Sequence, residues 1–228
     1  MEVPAPRVEP SPRWIRVRAG GEWVADSRRA LLLAWYGPGM LPTYCFPPED
    51  VRVDLLPGLG DAATELRDLP APAAAANGML TFTWDGRVQW FEEAMEVFVH
   101  AKDTTKRVDV VPSERHVRIE LAGELVAESR RPHALFETTL PTRWYLPAED
   151  VRMDLLEPSD AVTQCPYKGT ARYWSVRVNG RLHPDVAWSY PDPIPENPRI
   201  AGLVAFFNER VDLTIDGELQ PRPQTPWS

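Results

Sequence analysis

The sequence is poor in the residues that metal sites and disulfide frameworks require. Its 228 residues include two cysteines, Cys45 and Cys165, and four histidines. Two cysteines are too few for a disulfide scaffold or a cysteine-rich zinc site, and no H-x-x-x-H or C-x-x-C spacing occurs. We therefore predict a protein without a metal and without a cofactor.

Long apolar segments are also missing. Residues 1–14 lack the apolar core of a secretory signal. The longest apolar runs, 31–36 and 202–207, are far shorter than the roughly 20 residues that a membrane span needs. We expect a cytoplasmic protein that has no membrane partner.

The balance of charge and the lack of two common motifs exclude further classes. Acidic residues outnumber basic ones by 33 to 25, and a net charge of −8 repels nucleic acid, so we predict no nucleic-acid partner. Neither a glycine-rich phosphate loop nor a G-x-S-x-G elbow is present. Because both motifs are absent, the sequence provides no motif evidence for nucleotide binding or for hydrolase activity.

What the sequence does contain is an internal repeat. The blocks ADSRR at 25–29 and AESRR at 127–131 match, as do PPEDVRVDLL at 47–56 and PAEDVRMDLL at 147–156. Two extra residues in the first copy fall where Gly37-Pro38-Gly39 lies. We predict two related domains, 14–111 and 113–218, with a boundary near Pro112-Ser113. A monomer with an internal pseudo-twofold arrangement, or a weak homodimer, would suit such a chain.

Proline and turn dipeptides predict the fold class. The 25 prolines, about twice the usual share, favour short strands over long helices. Turn signals between alternating segments occur at Gly20-Gly21, Asp85-Gly86, Ala122-Gly123, Asn179-Gly180 and Asp216-Gly217. We predict a mainly β protein of two antiparallel β domains, each with about one short helix.

The helix of the second copy is predicted between residues 197 and 207. Asn197 suits an N-cap and Pro198 the first helical position, and apolar residues recur at 200, 203, 204 and 207. Segment 88–95 is the predicted equivalent in the first copy, because 88–99 and 204–215 share a spacing of aromatic and acidic residues.

Reactive side chains are concentrated between Cys165 and Pro193. In Cys165-Pro166-Tyr167-Lys168 the proline favours a β-turn, which would bring the Lys168 ammonium near the Cys165 thiol. A nearby cation lowers the pKa of a thiol, and a half-buried lysine can act as a base or a Schiff-base amine. Lys168 and Cys165 are therefore the candidate catalytic residues. The alternative is an inert buried cysteine beside a solvated lysine.

Aromatic residues in this stretch are candidate ligand contacts. If the rings converge, they form a box that holds a planar or cationic ligand, and nearby polar residues would orient it. The candidate ligand-binding residues are Tyr167, Tyr173, Trp174, Trp188, Tyr190, Asp192, Arg143 and Glu137. The alternative is that the rings are only core residues. The corresponding segment of the first copy, 57–78, lacks Cys, Tyr and Lys, so we predict a single site, in the second copy.

Five blocks cover most of residues 116–215: VAESRRP, EDVRMDLLEPSD, CPYKGTARYWSVRV, AWSYPDPIPE and AGLVAFFNERVD. With these blocks the second copy resembles a bacterial family known as domain of unknown function 427 (DUF427). The first copy, from about Trp14 to Asp109, looks like a degenerate member that lacks the CPYKG and WSYPDP blocks.

The resemblance implies a β-tent architecture in each domain, like that of methionine sulfoxide reductase B and the thalidomide-binding domain of cereblon. Several relatives bind zinc through two cysteine pairs; this chain lacks those pairs, so the resemblance implies no metal here. It also implies, by analogy alone, an aromatic-lined pocket for a small ligand. It supplies no reaction that transfers residue by residue.

Three functions remain open after the sequence. The first is a small-molecule-binding protein of unknown ligand, with or without enzymatic activity, whose pocket lies in the second domain. The second is an enzyme of the thiol or acyl-transfer type that depends on Cys165 and Lys168. The third is a structural or protein-interaction module whose contact surface contains Trp84, Trp90 and Phe91 of the first copy.

Overall fold

The structure is a computed structural model that describes residues 5–36, 40–225 and 227–228. The chain forms two compact units, Glu2–Asp103 and Thr104–Ser228. The division falls before the predicted boundary near Pro112-Ser113, because Val108–Pro112 is a strand that pairs within the second unit. The insertion at Gly37-Pro38-Gly39 lies outside the described residues.

Short strands and 3-10 helices build the first unit. The strands are β1 (Arg7–Pro10), β2 (Ile15–Ala19), β3 (Glu22–Ser27), β4 (Leu31–Ala34), β5 (Thr43–Cys45), β6 (Ala63–Glu65), β7 (Leu80–Phe82), β8 (Gln89–Glu92) and β9 (Met95–Val97). The 3-10 helices are Pro48–Asp50, Leu56–Ala62 and Ala71–Ala76. The strands pair in the orders β1-β4-β5, β3-β2-β8-β9 and β6-β7.

The second unit has longer strands. They are β10 (Val108–Pro112), β11 (Val117–Leu121), β12 (Glu124–Ser129), β13 (His133–Glu137), β14 (Arg143–Leu146), β15 (Leu156–Cys165), β16 (Gly169–Val178), β17 (Arg181–Ser189), β18 (Val204–Phe206), β19 (Asp212–Ile215) and β20 (Glu218–Leu219). The 3-10 helices are Ala148–Asp150, Met153–Leu155 and Pro198–Ile200. The order β10-β13-β14-β18-β17-β16-β15 forms what we call the large sheet, and β12-β11-β19-β20 the small sheet.

The mainly β architecture with antiparallel pairing is confirmed. Hairpins form at Gly20-Gly21, Ala122-Gly123, Asn179-Gly180 and Asp216-Gly217. Asn179 and Gly180 have φ angles of 49° and 74°, as a tight primed turn requires. The hairpin prediction at Asp85-Gly86 is wrong, because the flanking strands β7 and β8 belong to different sheets.

The pairing pattern relates the two units residue by residue. Strands β1, β4 and β5 correspond to β10, β13 and β14, and β2, β3, β8 and β9 correspond to β11, β12, β19 and β20. Leu31 pairs with Cys45 as His133 pairs with Tyr145, so position 45 corresponds to position 145. Where the second unit has the long strands β15 to β17, the first has the segment from Leu56–Ala62 to Ala71–Ala76.

The core of the second unit lies between its two sheets. Along β11, Val117, Ile119 and Leu121 are buried while the residues between them are half-exposed, which is the alternation expected of a strand with one solvated face. These residues pack against the large sheet through Trp144 and Phe206. Each such side chain contributes about 1.5–3 kcal/mol on burial.

The predicted helix from Asn197 to Phe207 is wrong. Pro198–Ile200 forms a single 3-10 turn and Val204–Phe206 is strand β18. β18 pairs with β14 on one edge and with β17 on the other, so its backbone groups are satisfied by the sheet rather than by a helix. The equivalent helix at 88–95 is also wrong, because Gln89–Glu92 and Met95–Val97 are strands.

The repeated blocks form the same polar clasp in each unit. Ser129 Oγ donates to Asp150 at 2.7 Å and accepts from the backbone N–H of Arg131 at 3.1 Å. The Arg131 guanidinium also donates to Asp150, at 3.2 and 3.0 Å. Ser27, Arg29 and Asp50 repeat these contacts in the first unit. The clasp ties the end of β12 to the 3-10 helix Ala148–Asp150.

We predict that Asp150→Asn lowers the free energy of unfolding by about 1–2 kcal/mol at pH 7, since it weakens two charge-assisted contacts. The hydrogen bonds from Arg131 and Ser129 lower the pKa of Asp150 in the folded protein. Its contribution is therefore present above the unfolded pKa near 4 and is lost as the pH falls through the lowered value. Urea unfolding from pH 3 to pH 7 measures the difference.

The control is Asp154→Asn, which removes an exposed ion pair with Arg152 and should leave the free energy of unfolding nearly unchanged. An Asp150→Asn penalty that is as large at pH 3 as at pH 7 would show that the carboxylate charge is not what stabilises the clasp.

Candidate functional site

Alternating residues give the large sheet two different faces. On β14, Trp144 packs in the core between the sheets, whereas Tyr145 packs in a second cluster on the other side together with Trp188 of β17. On β13, Ala134 likewise packs in the core between the sheets and Leu135 in the second cluster. We call the second side the Lys168 face; it carries Glu137, Tyr145, Cys165, Lys168, Tyr173, Trp188 and Tyr190.

The turn at Cys165 to Lys168 forms as predicted. The backbone N–H of Lys168 donates to the carbonyl of Cys165 at 3.3 Å, and Gly169 then begins β16 with a φ of 108°. A Cβ atom on Gly169 would lie 3.3 Å from the backbone of Pro193, so glycine allows the two segments to approach. The side chain of Asn197 donates to the carbonyl of Tyr167 at 2.6 Å and holds the turn from the same segment.

Lys168 pairs with a carboxylate. Its ammonium group forms an ion pair with Glu137 of β13, and the two side chains are only 13% and 9% exposed. Burial of two charges is costly unless they compensate each other, and removal of one partner leaves the other uncompensated. The two predicted residues Lys168 and Glu137 are therefore brought together, and the ammonium charge is neutralised locally.

The Cys165 thiol lies close to this pair but is not activated by it. Burial raises the pKa of Cys165 above that of a free thiol, Lys168 opposes this effect, and Glu137 reinforces it. Lys168 acts on the thiol in the direction predicted from the sequence, but burial outweighs it and the net direction disfavours a thiolate. A reactive cysteine usually shows the opposite shift.

Two tyrosine hydroxyls lie beside the ion pair. Tyr145 is buried and accepts a hydrogen bond from Trp188 Nε1 at 3.0 Å, and burial raises its pKa. Burial also raises the pKa of Tyr190, with a smaller contribution from Tyr145. Within the described part of the chain, the Tyr190 hydroxyl has no hydrogen-bond partner although the residue is only 5% exposed.

Arg143 reaches the Lys168 face but is held by a structural partner. Its guanidinium forms two hydrogen bonds of 2.7 Å with Glu209, whose side chain is fully buried. Its charge also lies 5.7 Å from the ring of Trp188 and 5.8 Å from that of Phe207. This bidentate pair fixes the rings and leaves Arg143 little freedom to orient a ligand.

The rest of the predicted aromatic box divides between the two faces. Tyr173 stacks against Phe207 at 6.4 Å, and its hydroxyl forms a hydrogen bond of 2.8 Å with Thr163. Trp174 packs instead against the core between the sheets, because it neighbours Tyr173 on a strand. The side chain of Asp192 is exposed.

The remaining predicted contact, Tyr167, lies within the turn and is half-buried. Sequence reasoning missed Tyr145, Phe207 and Glu209. The sequence feature that could have identified Tyr145 is its position two residues after Arg143 on one strand.

The first unit lacks this arrangement at the equivalent positions. By strand pairing, Trp35 stands where the second unit has Glu137, and Cys45 where it has Tyr145. Ala73 and Ala76 of the alanine-rich segment are fully buried against Cys45 and Leu33. Small apolar residues therefore seal the face that is polar in the second unit.

The proposed contact surface of Trp84, Trp90 and Phe91 does not form. Trp90 is only 2% exposed, and Trp84 stacks on it with ring centroids 4.3 Å apart. Phe91 packs on Trp23 on the opposite side of the sheet. These rings are packing residues of the first unit rather than one exposed patch.

Comparison with known families agrees with the difference between the two units. A family model described as "Domain of unknown function (DUF427)" matches residues 7–64 and 109–217, which is more than half of the chain. The chain belongs to the DUF427 family. In the first unit the DUF427 match stops at residue 64, soon after the unit departs from the second near Leu56, whereas the second match runs from residue 109 in β10 to residue 217 after β19 and includes the whole Lys168 face. No curated protein matches the chain significantly.

The described ranges of this DUF427 chain contain neither a membrane-spanning helix nor a cluster of metal-ligating side chains. No helix of residues 5–36, 40–225 and 227–228 is long and apolar enough to cross a membrane. Within the same ranges, His, Cys, Asp and Glu side chains form no cluster of three or more suited to a metal ion.

We predict that Lys168→Met lowers the free energy of unfolding by about 3 kcal/mol, because it leaves the Glu137 carboxylate buried without its cation. The double variant Lys168→Met/Glu137→Leu should recover most of that loss, since no uncompensated charge remains. Urea unfolding measures both. Arg152→Met, which breaks an exposed ion pair, is the matched control. A double variant as unstable as Lys168→Met alone would refute this account of the pair.

We also predict that iodoacetamide labels Cys165 slowly in the native protein, with a rate that rises only above the pH range of an ordinary thiol, near 8.5. Cys45 is the internal control: it is fully buried and burial raises its pKa to about 12, so it should remain unlabelled until the protein unfolds. Half-maximal labelling of Cys165 below pH 8 would instead indicate an activated nucleophile.

Proposed function

We propose that the protein is a tandem pair of DUF427 domains in which the second binds a small molecule on the Lys168 face. The single observation that carries the proposal is the buried Glu137–Lys168 ion pair beside the unpartnered hydroxyl of Tyr190. A buried ion pair does little for stability compared with apolar residues of similar size. Its presence on this face is therefore better explained by a ligand than by packing.

The first unit supports this proposal as an internal comparison. It keeps the corresponding strands β4 and β5 without the glutamate and the tyrosine, and alanines cover its face. The fold can therefore be completed by apolar side chains alone. Polar groups that the scaffold does not require are the ones expected to contact a ligand.

The chemistry of the face defines the class of ligand. Tyr190 offers a hydroxyl group for hydrogen bonding, and Trp188 and Tyr173 offer rings, of which Tyr173 is half-exposed. The charges of Lys168 and Glu137 neutralise each other. These groups suit an uncharged or zwitterionic molecule with a planar part and a hydrogen-bond acceptor. The raised pKa of Cys165 speaks against the alternative of thiol or acyl-transfer catalysis.

The test is a thermal-shift screen of small metabolites, followed by calorimetry of each hit with the full chain. Tyr190→Phe should weaken binding about tenfold, the effect of one hydrogen bond, while leaving the Tm of the free protein nearly unchanged because the hydroxyl has no protein partner. Tyr44→Phe in the first unit is the matched control and should not alter the Kd. The proposal fails if no compound binds, or if every hit binds Tyr190→Phe as tightly as the native protein.

A further inference from the structure

A cavity of about 430 Å³ lies in the second unit, away from the Lys168 face. Its walls include Ala134 and Trp144 of the large sheet and Leu213 of the small sheet, with Asn208 and Pro223 also lining it. Ala134 and Trp144 belong to the core between the sheets, so the cavity opens on the opposite side of the large sheet from Tyr145. None of the predicted site residues lines it.

Strand pairing identifies the residues of the first unit that correspond to this lining. β7 pairs with Phe46 as β18 pairs with Leu146, so Trp84, two residues after β7, corresponds to Asn208, two residues after β18. Residues of the other wall are matched between the two units through the strands β2 and β11. Val17 pairs with Trp90, as Ile119 pairs with Leu213.

In the first unit two indole rings occupy the corresponding positions. Trp84 stacks on Trp90 with ring centroids 4.3 Å apart and an angle of 4° between the rings, and Trp84 Nε1 donates to Thr43 at 3.0 Å. In the second unit Asn208 and Leu213 replace these rings with smaller side chains. Strand pairing also relates Leu32 to the smaller Ala134 and Tyr44 to the larger Trp144, because Leu32 pairs with Tyr44 as Ala134 pairs with Trp144.

The cavity is therefore space that the sister unit fills with its own aromatic side chain. Three neighbouring positions are smaller in the second unit, and all three line the cavity. The cavity is open to solvent, since the exposed side chains of Val111 and Phe136 belong to its lining, and a ligand that covers its apolar surface gains the free energy of removing that surface from water. Its volume is within the range of small-molecule pockets.

We propose that this cavity binds a free, uncharged, planar aromatic molecule of about the size of indole. Trp144 supplies an aromatic wall and Leu213 and the prolines supply apolar contact, as the stacked rings do in the first unit. The lining contains one charged residue, Arg115, whose guanidinium is already paired with Asp216 at 2.6 Å. A neutral ring therefore suits the cavity better than an anion or a cation.

The experiment uses 5-fluoroindole as the probe and follows its fluorine NMR signal with the full chain. We expect saturable binding with a Kd of about 1 mM or tighter, the affinity of a fragment of this size. Asn208→Trp introduces the residue that fills the space in the first unit, and Ala134→Leu introduces the residue at the third position. Each should weaken binding at least about tenfold.

Tyr190→Phe is the control that separates this site from the Lys168 face, and it should leave the Kd of the probe unchanged. Thermal unfolding verifies that each variant is folded. If Asn208→Trp does not fold, the Kd of the probe for Ala134→Leu alone decides the test. The proposal is overturned if the probe shows no saturable binding at its solubility limit. It is equally overturned if folded Ala134→Leu binds the probe as tightly as the native chain, or if Tyr190→Phe abolishes binding.

Discussion

The structure of the second unit depends on strand β18, which pairs along both of its edges. β18 bonds to β14, which belongs to the repeated frame, and to β17, which belongs to the long strands found only in this unit. It is the strand through which β15 to β17 are hydrogen-bonded to the frame within the large sheet. In the first unit the corresponding strand β7 instead pairs with the short strand β6. One short strand thus joins a common scaffold to the segment that carries the polar residues.

Much of the architecture could be predicted from the sequence. The repeated blocks predict two related units, and dipeptides such as Asn179-Gly180 locate hairpins, because turn chemistry is local. The helix from Asn197 to Phe207 could not be resolved in this way. Its apolar residues follow a helical period over only a few positions. So short a pattern does not distinguish an α-helix from a 3-10 turn followed by a three-residue strand. The same error matched 88–99 to 204–215, whereas Gln89–Glu92 pairs like Asp212–Ile215.

The candidate site was predicted in composition but not in contacts. Turn chemistry places Lys168 near Cys165, but its ionic partner Glu137 comes from a strand 31 residues away in sequence. Likewise, Arg143 is held by Glu209, 66 residues further along the chain. Such partners depend on the order of strands in the sheet, which residue types do not encode. Trp174 was misplaced for a simpler reason, since neighbours on a strand face opposite sides.

The alanine-rich segment of the first unit has an evolutionary consequence. Ala73 and Ala76 are packed without exposure against Cys45, the position that is tyrosine in the second unit. A phenol ring at position 45 would need the volume that the two methyl groups occupy, and overpacking a dense interior is destabilising. A tyrosine could therefore be accepted at position 45 only together with changes in the alanine-rich segment, so no single substitution converts the first unit to the surface of the second.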